Sequence, residues 1–193
     1  MKSKLPFLLG LLFALLVGWI FFPLGLYKNH QQPLQFNHKV HTGESNGMAC
    51  TDCHTTADDG RFQGIPAIAK CAECHATPLG ETEAEKILIE EYITPNKEIP
   101  WLVYSRQPDN AYFSHASHVT LGEMKCEDCH GPHGSSEFLK TYQENRISGY
   151  SRDIWGANIS GFASEPWRGM KMDKCVNCHE DRNRRDGCVA CHK

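Results

Sequence analysis

Cys175-Val176-Asn177-Cys178-His179 is one of five copies of a single pattern, and how that pattern is read decides the architecture. The others are Cys50-Thr51-Asp52-Cys53-His54, Cys71-Ala72-Glu73-Cys74-His75, Cys126-Glu127-Asp128-Cys129-His130 and Cys188-Val189-Ala190-Cys191-His192. Together they use all ten cysteines. Two thiols separated by two residues lie on one helical turn and can add across the two vinyl groups of a haem. The histidine that follows directly then points its imidazole at the iron. Zinc sites also use C-x-x-C pairs, but they do not need a histidine after every pair. A redox-active dithiol normally occurs once, on a thioredoxin-like βαβ pattern that is missing here. The expectation is five covalent haem c groups, with His54, His75, His130, His179 and His192 as proximal ligands.

Six histidines remain outside the motifs: His30, His38, His41, His115, His118 and His133. Four of them repeat one spacing. Phe36-Asn37-His38-Lys39-Val40-His41 precedes the first haem motif, and Phe113-Ser114-His115-Ala116-Ser117-His118 precedes the third. Residues three apart on a helical turn share nearly one face, so each pair can reach neighbouring irons. The repeat resembles the ligand pairs of c3- and c7-type cytochromes, in which the two histidines serve different haems. His38, His41, His115 and His118 are therefore the expected distal ligands of four haems. The fifth is open between Met172, three residues before Cys175, and Met170, His133 or His30. A methionine there would raise that haem's potential; the bland readings are Met172 as packing against a porphyrin and His133 as a partner for a propionate. With this ligand count no iron is left open to substrate, and no C-x-x-C-K motif occurs. Electron carriage is expected rather than catalysis at a haem.

The chain starts Met1-Lys2-Ser3-Lys4 and continues as an uncharged apolar run from Leu5 to Tyr27. That is long enough for a spanning helix, which needs roughly 20 residues, and longer than the apolar part of a signal peptide. No A-x-A cleavage site follows. The lysines are expected on the cytoplasmic side, which puts everything after Lys28 on the periplasmic side of the inner membrane. A formal net charge of -3 gives no footing for nucleic acid.

The organisation expected is a transmembrane anchor over 1–28, a dihaem module over 29–79, a linker with a helix over 80–112 and a trihaem module over 113–193. The linker helix runs from Glu81 to Ile93, with Thr82 and Glu85 spaced as a capping box and Pro95 ending it. Periodic hydrophobic patterns are weak elsewhere. The fold expected is mainly α with extensive loops and little or no sheet, and with the haems as most of the apolar core. The long stretch from Gly131 to Lys174, with Tyr142, Tyr150, Trp155, Phe162 and Trp167, reads equally as a docking surface or a lid over haems. Arg182, Arg184 and Arg185 are candidate partners for propionates, for an acidic protein or for solvent alone.

Nearly the whole chain beyond the anchor resembles the pentahaem cytochrome c subunit of alternative complex III. The similar residues are Phe36-x-His38-x-x-His41, the run from Pro100-Trp101 to Phe113-Ser114-His115 with Pro108-Asp109 inside it, and Met172 ahead of the fourth motif. A departure is Gly131-Pro132-His133-Gly134 after the third. The resemblance implies an electron-transfer subunit of a quinol:electron-acceptor oxidoreductase. Its partners would be an iron-sulfur subunit, multi-spanning quinol-oxidising membrane subunits, and a monohaem cytochrome c or a terminal oxidase. The alternatives are a small membrane-anchored multihaem quinol dehydrogenase of the nitrate/nitrite respiration type, or a multihaem reductase with an open haem. The mass of the mature chain is expected to exceed that of its polypeptide by five haem additions, as read by intact mass spectrometry.

Overall fold

The computed structural model describes residues 4–61, 63–107, 109–147, 167, 172–184 and 187–192. Leu5–Leu26 forms one apolar helix of 22 residues with mean hydropathy 2.5. At about 1.5 Å per residue it is long enough to cross a hydrocarbon core of about 30 Å. Pro6 stands in its first turn, where a missing N–H costs nothing. Its apolar side chains from Leu5 to Phe22 are exposed, whereas Leu26 at its end is buried.

Directly after this helix the backbone becomes extended. Tyr27–His30 pairs antiparallel with Tyr142–Asn145, in a register that sets Tyr27 opposite Asn145 and His30 opposite Tyr142. The Nε2–H of His30 donates to Glu144 Oε2 at 2.7 Å, and the Arg146 amide donates to the Leu26 carbonyl at 2.9 Å. Asn145 is the buried polar residue of this ribbon and accepts from the Ile147 amide. A segment more than a hundred residues away in sequence is thereby clamped to the exit of the apolar helix. The little-sheet expectation stands, with this short ribbon as the sheet among the described residues.

The apolar core is small. Leu34, Ile68, Leu88, Tyr92 and Ile99 form it, with Ile87, Ile93 and Trp101 packed around them. Gln32 joins its two sides, accepting from the Leu102 amide at 3.0 Å and donating to the Leu102 carbonyl at 2.9 Å. The linker helix runs over Glu83–Ile87 and continues as a wider π-type turn over Leu88–Ile93. Thr82 caps it, its Oγ1 accepting from the Glu85 amide at 3.2 Å, and Asn96 at φ 50° ends the turn that follows. Only half of the capping box forms, because the Glu85 side chain goes elsewhere. Ile68, 3% exposed, roots the helix Ile68–His75 that carries the second motif.

The five motifs lie on helical segments: Cys50–Cys53, Ile68–His75, Cys126–His130, Met172–Asp181 and Cys188–Cys191. In the first and third, the aspartate inside the motif closes its own start: Asp52 Oδ2 accepts from the Ala49 amide at 2.8 Å and Asp128 Oδ2 from the Lys125 amide at 3.0 Å. Such bonds satisfy amides that a short helix leaves unpaired. Gly131, at φ 75°, ends the third motif's helix in a conformation that glycine adopts freely. A Cβ there would also meet the Trp167 ring at 2.7 Å.

The two halves interlock. The first histidine pair leans on the second half: the Lys39 amide donates to Ser136 O at 3.0 Å, Thr42 Oγ1 to Gly134 O at 2.6 Å, and Lys39 Nζ to Glu137 at 2.6 Å. The second pair leans on the first half, its Ala116 amide donating to Gly60 O at 2.9 Å. Ile68→Ala should cost about 2–4 kcal/mol, the usual range for emptying a buried branched side chain. A lowered midpoint in thermal unfolding of the detergent-solubilised protein checks this.

Candidate functional site

The F-x-H-x-x-H repeat folds twice into nearly the same object. Phe36 stacks on His41 with ring centroids 4.3 Å apart and meets His38 edge-on at 4.8 Å; Phe113 does the same to His118 at 4.4 Å and His115 at 4.9 Å. Asn37 Oδ1 caps the first turn through the Val40 amide, and Ser114 Oγ caps the second through the Ser117 amide. The phenylalanine therefore fixes both ring planes, a role that its spacing in sequence carried unread.

Hydrogen bonds then decide which ring nitrogen is free. His41 Nδ1 lies 2.8 Å from Asn37 O, His54 Nδ1 2.8 Å from Gly64 O, His115 Nδ1 2.6 Å from Arg61 O, His118 Nδ1 2.8 Å from Ser114 O, and His192 Nδ1 3.2 Å from Asn110 O. A carbonyl only accepts, so each Nδ1 carries the proton and each Nε2 keeps its lone pair for a metal. His75 Nδ1 instead meets the Glu85 carboxylate at 2.7 Å. Burial, followed by the charges of nearby histidines, holds His38 and His130 below the ordinary histidine pKa. His133 is held down to about 4 by burial first and the Lys140 cation next. These rings stay neutral, which is the form that binds iron.

Ring pairs stand at a telling distance. An iron between two imidazoles, with metal–nitrogen bonds of about 2 Å and each ring centroid about 1.1 Å further out, sets the centroids roughly 6 Å apart. His41 faces His75 at 6.1 Å, His115 faces His130 at 6.3 Å, and His118 faces His179 at 6.0 Å. The side chains present thus fit c-type haem: each of these pairs joins a motif histidine to one from the F-x-H-x-x-H repeats. His38 faces His133 at 6.1 Å, where the parallel with the second repeat leads one to expect His54. His54 lies near enough to both for their charges to interact. His38 and His133 are thus both placed where either could serve a metal bound at the first motif.

The remaining candidates are placed differently. Met172 opens the helix of the fourth motif and is 66% exposed, and His30 is tied through Nε2 to Glu144. Met170, Arg185, Tyr150, Trp155, Phe162 and Pro108 lie outside the described residues. The fifth motif is held by the linker: Ala111 bridges His192, and the Tyr112 amide donates to Cys191 O at 2.6 Å.

The thiols give the spatial order. Cys53 neighbours Cys71 and Cys74, Cys50 neighbours Cys126, and Cys129 neighbours Cys178 and Cys175. Motifs two, one, three and four follow one another in space. Burial pushes the Cys53, Cys71, Cys126 and Cys129 thiols up, the opposite of an activated redox dithiol. Sequence reasoning missed Glu85, which was spent on the capping box, and the main-chain carbonyls, which no residue type announces.

Residues 23–99 match the model of the class III cytochrome c family, and residues 111–193 match that of cytochrome c7 and related cytochrome c. The chain is 38% identical over 203 aligned residues to the "Menaquinone reductase, multiheme cytochrome c subunit" of Nitratidesulfovibrio vulgaris strain Hildenborough, covering 97% of this chain and 89% of that protein. Replacing His41, His115 or His118 by alanine should each convert one haem from low to high spin in optical and EPR spectra. His38→Ala should be buffered by His133, so that the first haem turns high-spin only in the double variant.

Proposed function

The chain belongs to the family of the multihaem cytochrome c subunit of menaquinone reductase, and from that premise we propose that it is the electron-transfer subunit of a membrane-bound quinone oxidoreductase of that type. Five haem c groups are held through Cys50/Cys53, Cys71/Cys74, Cys126/Cys129, Cys175/Cys178 and Cys188/Cys191. His54, His75, His130, His179 and His192 are the proximal ligands, with His41, His115 and His118 opposite the second, third and fourth proximal histidines. His38 takes the first haem opposite His54, with His133 as the alternative ligand on that side. The ring spacing favours His133 over Met172, Met170 and His30 as the additional distal side chain.

The observation that carries this reading is the contiguity of the motifs, two to one to three to four, together with histidine pairs at axial spacing. The haems supply reversible one-electron Fe(III)/Fe(II) exchange. The protein's own part would be to bind them close together, keep the Nε2 lone pairs of the tethered imidazoles free for iron, and supply His38, His41, His115 and His118 as second ligands for the first four. The anchor Leu5–Leu26 keeps this array at the periplasmic face of the inner membrane, and the ribbon at its exit ties the second half to that surface.

The partners proposed are an iron-sulfur subunit and multi-spanning membrane subunits, since a quinone needs a site within the bilayer that this chain does not provide among its described residues. The named relative favours electrons running from the haems toward menaquinone. The resemblance to alternative complex III supports the reverse flow, from quinol to a monohaem cytochrome c or a terminal oxidase. Gentle solubilisation followed by identification of what co-purifies tests the assembly. In that assembly, pre-reduced haems should be reoxidised by an added menaquinone analogue, and the reaction should stop when the other subunits are stripped away. Haems that are reduced by menaquinol, and that co-purify with a monohaem cytochrome, would reverse the direction. A cytochrome isolated alone that oxidises quinol by itself would overturn the proposal.

A further inference from the structure

We infer that Glu85 is a positioning residue for His75 that strengthens its donation to iron and sets the second haem low in potential. The inference rests on the reading of His75 as an axial ligand. Glu85 Oε1 lies 2.7 Å from His75 Nδ1 and also accepts from the Leu79 amide at 2.8 Å, while Oε2 accepts from the Gly80 amide at 2.8 Å. The carboxylate is thus pinned at three points, and its side chain is only 10% exposed against 20% for His75. Gly80 approaches so closely that a Cβ there would sit 3.2 Å from Oε2.

Two facts separate this from a helix cap. The cap at Thr82 uses the Glu85 main-chain amide, so it forms whatever the side chain does. Moreover, His41, His54, His115, His118 and His192 donate to neutral carbonyls, whereas His75 donates to an anion. A hydrogen bond to an ionised acceptor is roughly twice as strong as a neutral one. It draws the Nδ1 proton outward and raises the basicity of the ligating nitrogen. A more basic axial nitrogen favours Fe(III), and second-shell hydrogen bonding of this kind is one of the levers by which a protein sets haem potential. The second motif lies at one end of the run two, one, three, four, so this tuning makes that end of these four the stronger reductant.

The test is a redox titration of the full-length protein in detergent, followed at the Soret band, for wild type, Glu85→Gln, Glu85→Asp and Glu98→Gln. Glu98 Oε2 accepts from the Ile68 amide at 2.9 Å, holding the other end of the same helix, and so controls for loss of charge and helix support. Glu85→Gln should shift the reduced-to-oxidised ratio of one haem about tenfold toward reduced at fixed potential, about 59 mV for a one-electron couple. The near-infrared charge-transfer band of one ferric haem, which reports axial donor strength, should move with it. Glu85→Asp should shift less, and Glu98→Gln should leave both readouts unchanged. Unmoved midpoints in Glu85→Gln with all haems attached and low-spin would overturn the inference, as would an equal shift in Glu98→Gln. A wild-type peptide carrying Cys71 and Cys74 without haem would instead overturn the site reading beneath it.

Discussion

An imidazole binds iron only through a nitrogen that has lost its proton, and it keeps a fixed plane only if the other nitrogen is tethered. Much of this chain is arranged around that constraint. The tethers are main-chain carbonyls, and several come from afar: Arg61 for His115, Asn110 for His192, Gly64 for His54. Loops without regular secondary structure are thus held in place by the rings they orient. A loop carbonyl that serves an imidazole is also itself satisfied, which lets irregular backbone lie partly out of water.

The same bonds join the halves. His115 belongs by sequence to the second F-x-H-x-x-H repeat, yet its proton acceptor lies in the loop after the first haem motif. The first repeat rests in turn on Gly134 and Ser136. Neither histidine pair is oriented by its own half alone. For a relay this matters, because electron transfer depends on fixed separation between neighbouring centres, and reciprocal docking fixes the contact at which Cys50 meets Cys126. The ribbon of Tyr27–His30 with Tyr142–Asn145 extends the same logic to the apolar helix, tying its exit to the second half.

Among the described residues, the cluster of buried apolar side chains gathers around Ile68 and Tyr92. It lies under the second motif and the linker helix, so the helix that presents His75 is the best supported of the five. That support lets Glu85 reach back across a short loop to His75 with its carboxylate held on three sides. Fold and tuning coincide at this point.

The sequence by itself determined the covalent chemistry, the apolar helix and the fold class. Each is local: a C-x-x-C-H motif acts within one turn, an apolar run of sufficient length needs no tertiary partner, and weak periodicity leaves only short helices and loops. Residue type also announced the histidine pairs. Tertiary structure decided which rings face one another, because His38 can meet either His54 or His133 and only the docking of Gly134 to Ser136 brings the latter to 6.1 Å. It likewise decided the order of the motifs in space, the ribbon at the exit of the apolar helix, and the diversion of Glu85 from its cap to His75. Each of these joins residues distant in the chain through main-chain groups or a carboxylate with several available partners. Local pattern is silent there, because every residue carries the same carbonyl and amide, and only the folded path selects among them.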